Sequence, residues 1–289
     1  MIIQFAGDRA RVALARRVVV KLGTSTVTRP DGSLAHGRFY ALADSLAAVR
    51  RSGRELVVVT SGAVALGGAR LRGRPEGSPA SRQARAAVGQ ARLMALYADA
   101  FDRNGITAAQ MLAAPRDVAD RRRARALRST LCELLALGVL PIVNANDAVL
   151  PEEPAPTLVG ENDRLAALVA RAVRADLLLM LTDVDGVFDG DPRGPGMPRL
   201  LERIEDVGPD LEAAAGGPRQ GTGGMRAKLE AARLAARGGC TAVIANGAEP
   251  RVVERLLKGE RLGTLFPAAP RRGLVLRPAD ERARSAEAR

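Results

Sequence analysis

Four times along this chain a short apolar run breaks off into a cluster of small polar residues. Val18–Val20 runs into Lys21-Leu22-Gly23-Thr24-Ser25, and Leu56–Val59 into Thr60-Ser61-Gly62-Ala63. Leu140–Val143 runs into Asn144-Ala145-Asn146-Asp147, and Leu177–Leu181 into Thr182-Asp183-Val184-Asp185. Apolar runs of this length, bounded by turn formers, read as strands buried on both faces, as strands are in parallel sheets. Between them the period becomes helical, as at Phe39, Leu42, Leu46 and Val49, where Gly53 supplies the C-cap. Strand–helix alternation predicts an α/β fold, a mostly parallel sheet with helices on both faces. Parallel strands end on one edge, so the four polar clusters should face a common cleft.

The same signals outline the rest. A long helix is expected over 81–104, a strand over 106–112, and a helix over 118–137 stopped by Gly138. Gly160 opens an amphipathic helix through Arg174, another helix ends at Gly238-Gly239, and final strands cover 241–245 and 263–266. Residues 1–17 read as a loosely ordered lead-in, Pro151–Thr157 as a proline-rich loop or lid, and the basic stretch 269–289 as a disordered tail. No internal repeat of fixed period is present.

Composition narrows the function. The 289 residues, 47% hydrophobic, are enough for a large core, and no run of about 18 apolar residues suggests a membrane span. The N-terminus lacks the apolar core of a signal peptide, and Cys132 and Cys240 read as reduced core thiols; both point to the cytoplasm. A single histidine, His36, argues against histidine metal sites and Ser-His-Asp chemistry. A net charge of +12 raises the question of nucleic acid, but 2% aromatic content with no tryptophan leaves few rings for bases to stack on. Arginine supplies nearly all the positive charge: of 44 basic residues only Lys21, Lys228 and Lys258 are lysine. Lys21 sits in the first polar cluster and Lys228 in the glycine-rich segment 221–228 that opens a helix, positions where a compact ammonium differs physically from a broad guanidinium.

The segment Gly221-Thr222-Gly223-Gly224-Met225-Arg226-Ala227-Lys228 has the character of a phosphate cradle. Glycines let backbone N–H groups approach an oxyanion, and the positive end of the helix that follows favours negative charge. It is not a P-loop, because the G-x-x-x-x-G-K-[ST] spacing is absent. Ser61-Gly62-Ala63 offers a second helix start suited to an anion. Two anion sites, each with a lysine, suggest phosphoryl transfer to an acceptor that is itself negative; an ionised carboxylate needs no base to become a nucleophile.

Seven motifs, in unbroken order over about residues 16–268, resemble the glutamate 5-kinase family of the amino-acid kinase superfamily. They are Val-Val-Lys-Leu-Gly-Thr-Ser, Val-Val-Thr-Ser-Gly-Ala-Val, Ala-Ala-Val-Gly-Gln (86–90), Asn-x-Asn-Asp-Ala-Val, Gly-x-Asn-Asp-x-Leu, Leu-Thr-Asp-x-x-Gly-Val-Phe and Gly-Thr-Gly-Gly-Met-x-x-Lys. The resemblance implies a three-layer α/β/α sandwich with a mainly parallel central sheet (the amino-acid kinase fold), in a kinase domain spanning 16–268. Its N-terminal half would take the amino acid and its C-terminal half ATP. The implied reaction is ATP-dependent phosphorylation of the γ-carboxylate of glutamate, opening proline synthesis. By the same resemblance Lys21 and Lys228 neutralise the transferring phosphoryl group from opposite sides and Asp163 orients them. Ser61, Gly62, Asn144, Asp147 and Asn162 hold the amino acid. Lys21, Thr182, Asp183, Thr222, Gly223, Gly224, Met225, Arg226, Ala227 and Lys228 hold ATP, with Mg²⁺ carried by its phosphates rather than by protein side chains. A homo-oligomer and hand-over of product to a glutamyl phosphate reductase are implied, nucleic acid and membrane are not, and the family's C-terminal RNA-binding-like (PUA) domain is not expected.

Departures cluster on the acceptor side. Ala145 stands where the family usually has glutamate, Glu161 where it has aspartate, and Ala124-Arg125-Ala126 where it has an aromatic-Leu-Asn segment. They motivate an alternative in which the chemistry is kept and the acceptor is a modified or carrier-bound γ-carboxylate. A remote alternative is a non-catalytic regulatory or nucleic-acid-binding protein with this fold.

Overall fold

In the computed structural model the described residues are 2–71, 78–114, 117–118, 120–149, 160–190, 196–208 and 224–269. The lid-like loop 151–157, Gly221–Gly223 and the tail beyond 269 lie outside them.

The sheet grows outward from β1 (Arg17–Leu22), whose last five residues are buried. On one side β1 pairs in parallel with β2 (Glu55–Val59), Val19 opposite Val57 and Lys21 opposite Val59. On the other it pairs in parallel with β5 (Leu177–Thr182), Lys21 opposite Met180. With β3 (Ala108–Ala113), β4 (Leu140–Ala145), β6 (Thr241–Asn246) and β7 (Thr264–Phe266), the order is β3-β4-β2-β1-β5-β6-β7. Every pairing is parallel except β6–β7. β1 is therefore where the chain reverses direction across the sheet: β2 to β4 build one wing and β5 to β7 the other. In open α/β sheets the crevice above such a point binds ligands.

Strand alternation divides the core in two. Val18, Val20 and Leu22 face one layer, with α3 (His36–Arg51), α5 (Pro79–Asp102) and α9 (Val252–Leu257). Val19, Val57 and Val59 face the other, with α6 (Arg121–Ala136), α7 (Glu161–Ala172) and α8 (Met225–Arg237). Lys21 shares the parity of Val19 and so points toward α7 and α8. The expected helices and strands occur within a few residues of their predicted ends. Asp120 caps α6, its side chain accepting from the N–H groups of Arg122 and Arg123.

Two expectations are corrected. Residues 2–13 are not a loose lead-in but helix α1 (Ile2–Ala13). It is fixed at its C-terminal half: Val12 and Ala15 are buried, Asp8 pairs with Arg203 at 2.9 Å, and the Arg9 guanidinium donates to the carbonyls of Leu262 and Gly263. Polar side chains buried against distant backbone leave no apolar stripe for a periodicity argument to find. The cysteines are both free, but only Cys240 is a core thiol; Cys132 is half-exposed on α6. The one-turn helix α2 (Thr24–Val27) and helix α4 (Ala63–Arg70) complete the described elements, with α4 rising directly from the Ser61-Gly62 cluster.

Candidate active site

The four polar clusters do meet at one edge, because β1, β2, β4 and β5 all run in the same direction. At the centre is a buried triad. Lys21 Nζ lies 2.7 Å from Asp163 Oδ1, and Lys228 Nζ lies 3.6 Å from Asp163 Oδ2. Lys21, Asp163 and Lys228 are 4%, 1% and 6% exposed. The carboxylate is thus held between the two ammoniums, one oxygen toward each.

Three strands of local logic assemble the triad. Lys21 is delivered by a strand whose other buried residues are all apolar. Asp163 sits in the first turn of α7, where helix amides favour an anion. Lys228 sits in the first turn of α8, and the two helix starts touch. Gly160, the N-cap of α7, has φ +85°, and a Cβ there would overlap the Cβ of Ala227. Glycine at 160 is required twice, for its left-handed backbone and for its lack of side chain.

Two buried ammoniums against one buried carboxylate leave a net positive charge. Burial depresses the Lys21 ammonium, and Lys228 depresses it further, while Asp163 opposes both. For Asp163 burial alone would raise the carboxyl, but the charges of Lys21 and Lys228 outweigh it and hold it below the ordinary carboxylate range. Taken by itself, the triad carries one more positive than negative charge, which favours an anionic ligand. The helix starts agree with that demand. Gly62 (φ +106°), Gly160 and Gly224 cap α4, α7 and α8 with no side-chain hydrogen bond, leaving backbone N–H groups directed at the edge. These features fit a polyphosphate. No group of three His, Cys, Asp or Glu among the described residues is placed to hold a metal ion.

On the β2–β4 side lie the residues expected to hold an amino acid. The Ser61 hydroxyl donates to the Leu22 carbonyl at 2.8 Å, tying the β2 turn to the end of β1. The Ala145 N–H donates to Asn144 Oδ1 at 2.9 Å and to Asn162 Oδ1 at 3.2 Å, joining β4 to α7. Ala145, where a glutamate was the family pattern, is buried and contributes through its backbone. Asp147 is half-buried; burial raises its carboxyl, and Arg82 at the start of α5 opposes the shift. On the β5–β6 side Thr182 Oγ1 donates to Asp183 Oδ1 at 3.1 Å, and Gly247 N–H donates to the Thr182 carbonyl at 2.8 Å.

Most candidates therefore converge. Arg226 is the exception, since its side chain is exposed and pairs with Glu230 at 3.2 Å, leaving only its backbone for a ligand. Thr222 and Gly223 lie outside the described residues. Three participants went unassigned in the sequence: Arg82 opposite Asp147, Asn246 donating to Asp185 at 2.8 Å, and Gln90, which accepts from Asn144 at 2.7 Å. Gln90 could have been found, because it closes the Ala86–Gln90 motif; Arg82 and Asn246 carry no comparable signal.

Comparison with known proteins gives consistent results. The model of the amino acid kinase family matches residues 16–246. The glutamate 5-kinase of Pseudomonas putida strain W619 is 43% identical over 270 residues, covering 92% of this chain and 71% of that protein. The glutamate 5-kinase of Symbiobacterium thermophilum is 45% identical over 265 residues, covering 89% of this chain and 98% of that protein. Among solved structures, UMP kinase from Bacillus anthracis superposes with a TM-score of 0.63 at 18% identity, covering 89% of this chain and 97% of that one, a likeness of fold.

Proposed function

We infer the function from one premise: the chain belongs to the amino acid kinase family, among its glutamate 5-kinases. Its reaction is ATP-dependent phosphorylation of the γ-carboxylate of L-glutamate, yielding γ-glutamyl phosphate and ADP, the first step of proline synthesis. The observation that carries this reading into the molecule is the buried Lys21–Asp163–Lys228 triad with its one surplus positive charge.

In the transfer a γ-carboxylate oxygen forms a bond to the γ-phosphorus of ATP as the bond from that phosphorus to the bridging oxygen breaks; the electron pair leaves with ADP. No proton moves, so no general base is needed, and positioning with charge neutralisation supplies the catalysis. Lys21 and Lys228 flank the phosphoryl group, and Asp163 opposes the depression of the Lys21 ammonium and holds both side chains in place. The uncapped start of α8, with the backbone of Gly224–Lys228, Thr222 and Gly223, cradles phosphate oxygens. Thr182 and Asp183 take the nucleotide, whose phosphates would carry any Mg²⁺, and that ion would supply further charge neutralisation. Ser61, Gly62, Asn144, Asp147 and Asn162 form the acceptor side, Asp147 facing the α-ammonium. The domain thus divides into an amino-acid wing (β2 to β4) and a nucleotide wing (β5 to β7). We place the enzyme in the cytoplasm as a homo-oligomer that hands its labile product to a glutamyl phosphate reductase; no described helix is long and apolar enough to cross a membrane.

Hydroxylamine trapping with a panel of acceptors tests the reading. L-Glutamate should give ATP-dependent hydroxamate, and L-aspartate and N-acetylglutamate far less. Equal or better use of another carboxylate would overturn the acceptor assignment.

A further inference from the structure

We propose that Gln90 contacts the acceptor directly, its side-chain amide donating a hydrogen bond to the substrate's α-carboxylate. This rests on the acceptor reading above and gives a role to a residue for which that reading had no use. Gln90 lies on α5, on the sheet face opposite Asp163, and its Oε1 accepts from Asn144 Nδ2 at 2.7 Å. The direction of that bond is fixed from below. Asn144 Oδ1 accepts from the Ala145 backbone N–H at 2.9 Å, and a backbone N–H can only donate. Asn144 must therefore turn its nitrogen toward α5, Gln90 must answer with its oxygen, and Gln90 Nε2 is left over as a donor. Among the described residues that buried nitrogen has no hydrogen-bond partner. A buried amide donor without an acceptor is destabilising and uncommon in native interiors.

Location identifies what it awaits. Gly89 packs so closely on Ala63 that a Cβ would overlap the Ala63 carbonyl oxygen, which brings Gln90 beside the Ser61-Gly62 turn. Asn144 lies at the C-terminal end of β4, separated from β1 by β2 alone, so the end of β4 stands about 10 Å to the side of the end of β1. The reacting carboxylate must lie at Lys21; the far end of the acceptor, one carboxylate and one ammonium, lies toward β4. Asp147 suits the ammonium and repels the carboxylate. The orphan donor of Gln90 suits the carboxylate.

Two variants separate substrate contact from support of Asn144. Gln90→Glu keeps an oxygen for Asn144 and replaces the donor with an anion; Gln90→Ala removes both. If Gln90 holds the α-carboxylate, the glutamate KM should rise about 10- to 100-fold, more in Gln90→Glu than in Gln90→Ala, with the ATP KM within twofold of native. A role confined to Asn144 gives the reverse order, since Gln90→Glu would restore function, and overturns the proposal. A glutamate KM within twofold of native in both variants also overturns it. If the native protein makes no hydroxamate from glutamate, the acceptor reading falls and this inference with it; native turnover with unaffected variants refutes this inference alone.

Discussion

Replacing Asp163 with asparagine removes one charge and almost no volume. The native carboxylate stands 2.7 Å from Lys21 Nζ and 3.6 Å from Lys228 Nζ, with all three side chains buried. At an effective dielectric of about 20, attractions at those separations are about 6 and about 5 kcal/mol. Most of that offsets the desolvation of three ions, and the net loss on breaking a buried pair is about 3–5 kcal/mol. The variant would hold two ammoniums in apolar surroundings with no anion between them. Lys21, already depressed by burial, drops further and sheds its proton at lower pH. Hydroxamate formation should fall on the order of 10²- to 10³-fold, at about 1.4 kcal/mol per decade, and the alkaline limb of the pH–rate profile should move toward neutrality. Stability in acid changes as well. Because Asp163 is depressed in the folded state, its contribution is complete above the unfolded carboxylate range and is lost as pH falls through the folded value. Asp163→Asn should lack that acid-dependent component in thermal melts across pH. A variant that keeps a third of native kcat with an unmoved alkaline limb would refute the idea that Asp163 holds Lys21 charged.

Lys21→Arg retains the charge, yet a site 4% exposed and sized for an ammonium cannot take the wider fork, so kcat should fall at least about 100-fold; near-native kcat would defeat the argument from scarce lysine. Asp147 must be ionised to hold an α-ammonium, and burial raises its carboxyl. The glutamate KM of the native enzyme should therefore climb as pH falls through that raised value while the ATP KM stays level, and Asp147→Asn should raise the glutamate KM about 10- to 100-fold at neutral pH and flatten the dependence. Gly160→Ala places a methyl against Ala227 at a left-handed position. It should destabilise by about 1–3 kcal/mol, lowering Tm by roughly 2–10 °C in a differential scan, and should reduce kcat by spreading Asp163 from Lys228.

Much of this was legible because strand ends announce themselves. Val-Val-Val-Lys and Val-Val-Val-Thr-Ser mark both the buried strand and the point where its polar cargo emerges, so the convergence of Lys21, Ser61, Asn144 and Thr182 on one edge followed from parallelism. Lysine scarcity singles out Lys21 and Lys228 in the sequence itself. Helix α1 was invisible for a physical reason: its anchoring residues are Asp8 and Arg9, whose partners Arg203, Leu262 and Gly263 lie far along the chain. The antiparallel turn of β7 onto β6 is equally hidden, since a strand of only three residues fits either direction. Gln90 belongs to a sequence motif that by itself assigns it no task. Its meaning depends on the direction of hydrogen bonds from Ala145 through Asn144, which only the packed structure defines.

The central claim is that the triad directs a γ-carboxylate oxygen onto phosphorus. Native enzyme supplied with ATP, Mg²⁺, hydroxylamine and L-glutamate carrying ¹⁸O in its γ-carboxylate tests it directly. Hydroxylamine cleaves the acyl phosphate at carbon, so the released inorganic phosphate, read by its ³¹P isotope shift, should carry one ¹⁸O for each hydroxamate formed. Phosphate that appears unlabelled while hydroxamate accumulates would contradict the account.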